Sequence, residues 1–231
     1  MQGLFVTGTD TGCGKTRVAV ALIASLRRRG LSVAGFKPVA AGAQRHDGLL
    51  KNDDAMALLR VSSPGLSYAE VNPFCFEEPV SPHIAAAAGS RTVSLAEIAD
   101  RLQSLCLRHD LVVVEGAGGW RVPLGPELDI EALAVGLKLP ILLVVGLRLG
   151  CLNHAQLSEQ AIEASGAPLL GWVGSEVDPQ MPRRRENLDT LKERLHSPGL
   201  GVLPFRAELD KHLTGDFLDL DALLKRLSTA G

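Results

Sequence analysis

Gly8-Thr9-Asp10-Thr11-Gly12-Cys13-Gly14-Lys15-Thr16 is the stretch on which the architecture of this chain turns. It follows a short apolar run, Leu4-Phe5-Val6-Thr7, and leads into a helix-like segment from Gly14 to Arg29. A buried strand, a glycine-rich turn, Lys-Thr and a helix, in that order, make a phosphate-binding loop. Backbone N–H groups at a helix start can cradle phosphate oxygens, and glycine lets the backbone come close to them. Lys15 is placed to reach the β- and γ-phosphates as a point charge, and the Thr16 hydroxyl is a hard oxygen ligand suited to magnesium. The loop is a variant, because the strict pattern needs glycine at position 9, where Thr9 stands, and Gly8 lies one residue earlier.

Further along the chain, short continuous apolar runs alternate with helix-like segments. Ser32–Phe36, Leu111–Val114, Ile141–Val145, Leu169–Val173 and Gly201–Leu203 read as strands. Leu95–Arg108, Asn153–Ser165 and Leu218–Leu227 read as helices. Continuous apolar runs, without alternation, indicate strands covered on both faces. Helices between them indicate right-handed crossovers and a parallel sheet. The expectation is one α/β domain over residues 1–231, of the P-loop nucleoside-triphosphatase type, with a mostly parallel sheet flanked by helices. The stretch from Ala40 to Ser94 is less regular and reads as a helix plus long loops over one end of the sheet.

Composition narrows the function. At 46% hydrophobic residues there is material for a sizeable core, and at 4% aromatic that core must be aliphatic. A formal net charge of −2 lacks the basic surplus of a nucleic-acid binder. The cluster Arg183-Arg184-Arg185 before Glu186 reads as a solvated helix start. The cysteines, Cys13, Cys75, Cys106 and Cys151, form no CxxC pair and suggest neither zinc nor a disulfide framework. No signal-like segment precedes the first strand, and Ile141–Gly146 is too short to span a bilayer. A cytoplasmic protein without membrane or nucleic-acid partners is expected.

Other residues draw attention by position. Glu115, in Val114-Glu115-Gly116-Ala117-Gly118-Gly119, ends a buried strand where a magnesium-holding carboxylate belongs beside a phosphate loop. The glycines after it let the chain turn closely past phosphates. Lys37 follows the second strand, and two readings stay open: a cation stabilising a transferring phosphoryl group, or a surface lysine. Asn52-Asp53-Asp54 reads first as a helix cap. Gly150-Cys151-Leu152-Asn153-His154 opens a helix whose free N–H groups could bind a carboxylate; His154 reads as a surface or interface histidine.

Together these residues resemble the dethiobiotin synthetase family. The matching segments are Gly8–Thr16, Lys37–Ala40, the Asn52–Ala55 region, Val71–Phe74, Pro79–Ile84, Val114–Trp120, Val144–His154 and Gly171–Val173. The resemblance runs from about Phe5 to about Ala207. It implies an ATP-dependent enzyme that makes dethiobiotin from 7,8-diaminopelargonate and carbon dioxide, with magnesium. Residue by residue, it implies that Gly12, Cys13, Gly14, Lys15, Thr16 and Arg17 hold the triphosphate, with Gly116, Ala117 and Gly118 nearby. Thr16, Asp54 and Glu115 would surround magnesium. Lys37, Lys15 and Thr11 would serve the chemistry, Lys37 touching the carbamate and the transferred phosphoryl group. Ser175, Glu176, Pro204, Phe205 and Arg206 would border the adenine. Ala41 would lie by the substrate, and the family's homodimer would bring Gly150, Cys151, Leu152 and Asn153 of one subunit to the substrate carboxylate of the other.

The sequence departs from the family pattern in three places. Ala41 replaces a usual serine and loses its hydroxyl. Ser175-Glu176 stands where Asn-Asp commonly reads the adenine amino group. Gly12 stands where a larger residue is common and loosens the loop. Rival expectations are an amidotransferase of the cobyrinic acid amide synthase type, a partition-type ATPase, or a relative that binds nucleotide without turnover. The first carries an appended glutaminase domain, for which this chain has no room, and the second a signature lysine early in the loop, where Asp10 stands.

Overall fold

The computed structural model describes residues 3–205 and 217–230. Six strands form one parallel sheet: β1 (Gly3–Gly8), β2 (Val33–Phe36), β7 (Leu111–Glu115), β8 (Ile141–Leu147), β9 (Leu169–Glu176) and β10 (Gly199–Leu203). Their order is β10-β9-β8-β1-β7-β2. The register pairs Phe5 with Val114 on one side and with Ile141 on the other, so β1 lies at the centre. From β1 the chain first runs outward to β2, then returns to β7 and crosses to β8 on the other side. The carboxyl ends of β1, β7 and β8 therefore flank a topological switch point, where open parallel sheets bind ligands.

The apolar runs are continuous because each strand feeds two cores. Leu4 and Val6 of β1, Leu111 and Val113 of β7, and Leu142 and Val144 of β8 pack on one face. That face is covered by α1 (Lys15–Arg28), α2 (Asp53–Val61) and α9 (Leu220–Thr229). Phe5, Val112, Val114, Leu143 and Val145 pack on the other, beneath α5 (Leu95–Cys106), α6 (Ile130–Gly136) and α7 (Cys151–Ala164). The core forms two layers around one sheet: the layer under α1, α2 and α9 is aliphatic, as anticipated from composition, whereas the other also gathers Phe5, Phe36, Phe74, Phe76, Trp120 and Trp172. Helix α8 (Arg184–Arg194) is polar on most sides and buries Leu191. It begins at the arginine cluster, as expected.

The stretch after β2 is more structured than a helix plus loops. It holds the two-residue strand β3 (Val39–Ala40), paired in parallel with β6 (Phe74–Cys75). It also holds an antiparallel hairpin of β4 (Gln44–His46) and β5 (Leu49–Lys51), helix α2, the one-turn α3 (Tyr68–Val71), and α4 (Pro82–Ala88). These pieces are too short to show periodicity. They are fixed by local chemistry: Asn52 caps α2 and Ser67 forms a capping box with Glu70 at α3. No helix among the described residues is long and apolar enough to cross a membrane. None of the four cysteines forms a disulfide.

Candidate functional site

Helix starts differ in how they are capped. Asn52, Ser67, Ser94, Asp129 and Asp219 cap α2, α3, α5, α6 and α9 with side-chain hydrogen bonds. By contrast, α1 and α7 begin on glycines in the left-handed region, Gly14 at φ 94° and Gly150 at φ 97°, with no side-chain cap. Left-handed backbone of this kind suits glycine. An uncapped helix start leaves donors for an anion, and its dipole favours one. At Gly14 there is a second demand, because a Cβ there would fall 2.2 Å from the Ser175 hydroxyl.

A cavity of about 650 Å³ opens at the switch point. Thr11, Gly12, Gly14, Lys15, Thr16 and Arg17 form its phosphate-loop wall. Lys37, Ala41, Asp54, Glu115, Ala117 and Gly118 face it from the other strand ends. The loop before α4, from Pro79 to Pro82, and Val122 close the remaining side. The structure thus gathers twelve of the expected site residues into one space.

The polar centre lies where β2 and β7 end. Lys37 Nζ donates to Glu115 Oε1 at 2.6 Å, Asp54 Oδ2 at 3.1 Å and the Gly116 carbonyl at 3.2 Å. The Thr16 hydroxyl donates to the same Glu115 Oε1 at 2.8 Å. Lys37 is 3% exposed and Glu115 fully buried, so Lys37 is no surface lysine. Burial pulls the Lys37 ammonium down, but the Glu115 charge, then the Asp54 charge and hydrogen bonds to both, hold it above the usual lysine range. At Asp54 burial pushes the carboxyl up, and the Lys37 charge with neighbouring hydrogen bonds outweighs it, so the net direction is down. Lys15 is lowered, first by burial and further by Lys37, against nearby anionic groups. Its Nζ donates to the Asp10 carbonyl at 2.9 Å, across the loop where a phosphate would sit.

One buried atom in this centre has no partner, Glu115 Oε2. With the Thr16 hydroxyl and the Asp54 carboxylate it completes a set of hard oxygen donors that fits magnesium.

The other expected residues divide. Cys13 is buried beneath the loop, outside the cavity. Gly116 contributes its carbonyl to Lys37. Ser175 is fully buried under Gly14, its hydroxyl without a partner. Glu176 pairs with Arg184 at 2.6 Å and accepts from the Phe205 N–H at 3.0 Å. Arg17 donates to the backbone carbonyls of Glu176 and Pro204, joining β9 to the chain after β10. Arg206 lies outside the described residues. Gly150, Cys151, Leu152 and Asn153 open α7 away from this cavity. Within that segment the Cys151 N–H is already held by the Arg148 carbonyl at 3.0 Å.

Sequence reasoning missed two features. A second cavity of about 470 Å³ lies between the phosphate loop and α7, lined by Asp10, Trp120 and Leu157, and it shares Thr11 and Val122 with the first. At its edge Arg148, just before α7, pairs with Asp10 of the loop. The segments Val71–Phe74 and Pro79–Ile84 had been matched without a role; the first supports Lys37 and the second walls the cavity.

Comparison with known proteins fits this geometry. A family model described as an AAA domain matches residues 2–212. The ATP-dependent dethiobiotin synthetase of Cellvibrio japonicus is 46% identical over 223 residues, which cover 96% of this chain and 98% of that protein. The enzyme of the same name from Pseudomonas aeruginosa is 47% identical over 224 residues, covering 96% and 98%. Among solved structures, the MinC:MinD cell division protein complex of Aquifex aeolicus aligns with a TM-score of 0.57 at 13% identity, over 100% of this chain and 94% of that chain. MinD of Pyrococcus horikoshii, solved with Mg-ADP, aligns at 0.57 and 15%, over 99% and 95%. At such identities the likeness is one of fold, that of P-loop nucleoside triphosphatases. The sequence relatives carry the closer bond: this chain belongs to the ATP-dependent dethiobiotin synthetase family.

Proposed function

We propose that the chain closes a ureido ring on 7,8-diaminopelargonate, using carbon dioxide and ATP and releasing dethiobiotin, ADP and phosphate. One amine nitrogen bonds to the carbon of carbon dioxide and loses a proton, giving a carbamate. A carbamate oxygen then attacks the γ-phosphorus as ADP leaves, giving a carbamic-phosphoric anhydride. The second amine attacks the carbonyl carbon and loses a proton, and phosphate departs as the ring closes. Such chemistry needs positioning and charge neutralisation more than it needs a nucleophile from the protein.

The observation that carries this reading is the buried Lys37 ammonium, held by Glu115 and Asp54 on the wall of the phosphate-loop cavity. A fixed cation there can bind the carbamate and the charge that develops on the transferred phosphoryl group. Lys15, released from the Asp10 carbonyl, and the Gly12–Arg17 backbone take the triphosphate. Thr16, Asp54 and the free Glu115 oxygen are the residues that would hold magnesium, which supplies charge neutralisation at the phosphates when bound. Thr11 and Ala41 border the substrate; without a hydroxyl at Ala41, that contact falls to the backbone. Glu176, Pro204 and Phe205 border the base, and Ser175 supports the loop from beneath Gly14.

The reading includes a cytoplasmic homodimer of single-domain subunits, with neither nucleic acid nor membrane as partner. In it the start of α7 takes the substrate carboxylate of the neighbouring subunit. Two observations support that arrangement: α7 opens away from its own cavity, and the apolar Leu149 and Leu157 beside it are 90% and 58% exposed. The test is phosphate release from ATP with magnesium and bicarbonate, with and without the diamine, and mass analysis of the product. Release that requires the diamine and a product with a ureido ring are expected. Release indifferent to the diamine would overturn the proposal.

A further inference from the structure

Lys37 stands one residue beyond β2, and β2 is the edge strand of the sheet. Its own backbone is held from outside the main sheet. The Lys37 N–H donates to the Val71 carbonyl at 2.8 Å, and the Lys37 carbonyl accepts from Asn72 Nδ2 at 2.7 Å. Asn72 Oδ1 accepts from the Tyr68 hydroxyl at 2.9 Å, and that hydroxyl accepts from the Asn52 N–H at 2.7 Å. Asn52 Oδ1 in turn accepts from the Asp54 and Ala55 N–H groups at 3.0 and 3.3 Å, and its Nδ2 donates to the Ala41 carbonyl at 3.2 Å. An unbroken chain of hydrogen bonds thus runs from the backbone of Lys37 to that of Asp54, with a branch to Ala41. Asn72 is 3% exposed, Tyr68 is half-buried, and Asn52, at 8%, meets the edge of the cavity.

We infer that Tyr68, acting with Asn52 and Asn72, is a positioning residue that sets the spacing between Lys37 and Asp54 and thereby the fit of the metal–nucleotide complex. The inference rests on the proposed roles of Lys37 and Asp54. Tyr68 is suited to the task because its hydroxyl is used in both directions, donating to one asparagine and accepting from the other. Burial, then the Cys75 sulfur at 3.3 Å, raises the phenol above its usual range against the opposing Asn52 N–H, so the donor proton stays in place. Partners behind a metal ligand commonly matter at about tenfold or more in metal affinity or activity. Neither Tyr68 nor Asn72 lines the cavity, so an effect of either on nucleotide binding passes through the residues they hold.

The test is calorimetric titration of the full chain with a non-hydrolysable ATP analogue, in EDTA and in magnesium. Tyr68→Phe keeps the ring and deletes the hydroxyl. The expected result is unchanged affinity in EDTA, since the phosphate loop is untouched, and a loss of about tenfold in the tightening that magnesium brings. Ser67→Ala is the control for helix stability, because it removes the capping box of the same helix and leaves the Tyr68 hydroxyl in place. It should lower the unfolding temperature and keep the magnesium effect. An unchanged magnesium effect in Tyr68→Phe, or an equal loss in Ser67→Ala, would overturn the inference. Absence of magnesium-dependent nucleotide binding in the unmodified chain would overturn the reading of the site itself, and the inference with it.

Discussion

Lys37→Met keeps a side chain of similar length and removes the charge. In the structure the ammonium faces Glu115 at 2.6 Å and Asp54 at 3.1 Å. At an effective dielectric of about 20, the two attractions are worth about 5–6 kcal/mol each before desolvation is counted. Desolvating the ammonium offsets much of this, and removal of one partner from a buried pair costs about 3–5 kcal/mol net. The lower end applies here, since the Asp54 side chain is 45% exposed and regains water, whereas Glu115 is fully buried and keeps the Thr16 hydroxyl alone. A loss of about 3 kcal/mol is a urea midpoint lower by about 1–2 M at a slope near 2 kcal/mol per M. The assay is urea unfolding in EDTA, repeated with magnesium, beside single-turnover phosphate release. Magnesium should restore part of the midpoint, because a cation replaces the missing charge. Turnover should fall by about 10²–10³, the cost of deleting one preorganised donor to a developing charge. A midpoint within about 0.3 M of the unmodified chain, below about 0.6 kcal/mol at the same slope, would refute the premise that a buried ion pair holds this centre together.

Other consequences are open to measurement. Gly14→Ala should abolish tight nucleotide binding and cost about 2 kcal/mol or more, because the left-handed backbone and the Ser175 hydroxyl both oppose a Cβ. Gly12→Ala, at φ 77° with open space around it, should cost only about 1 kcal/mol; nucleotide titration and thermal unfolding separate the two. Glu159→Ala should destabilise by about 2–3 kcal/mol and leave nucleotide affinity alone, since this buried carboxylate accepts from the backbone of His196 and Ser197 and from the Ser197 hydroxyl. In pH, the lowered Asp54 stabilises above its unfolded value near 4, and that contribution disappears as pH falls through the folded value. The raised Lys37 stabilises below its unfolded value of about 10.4, and that contribution disappears as pH rises through the folded value. Asp54→Asn should therefore unfold more readily than the unmodified chain near neutrality and converge with it in acid, as read from urea midpoints in metal-free buffer.

Strands β1, β7 and β8 were legible because their two covered faces leave uninterrupted apolar runs, and α1 because the phosphate loop announces its start. Their ends were less so. Helix α7 begins at Cys151 rather than Asn153, since Gly150 turns the chain, and β9 continues to Glu176 through polar Ser175. Helix α8, which buries Leu191 alone, has no apolar stripe to find, and the seven-residue α6 is too short to show one. At the site, Lys15, Thr16 and Glu115 could be placed by motif and strand end. Asp54 stood in the sequence as a helix cap, and its approach to Lys37 exists only in three dimensions. The links through Tyr68 and Asn72 follow no fixed spacing, so nothing in the order of residues announced them.

The edge position of β2 has a consequence for motion. The phosphate loop and Glu115 are tied to central strands, whose ladders on both sides open only with the whole sheet. Lys37 and Asp54 belong instead to a peripheral excursion of short pieces, held by a few side-chain bonds and a one-turn helix. Segments so attached open at lower free energy than the core. The amide of Lys37, bonded to Val71, should therefore exchange its hydrogen faster than that of Val114 on the neighbouring strand. Half of the proposed site is bedrock and half a lightly moored bank: under the proposed roles, Lys37 should detach and return while the phosphate loop holds.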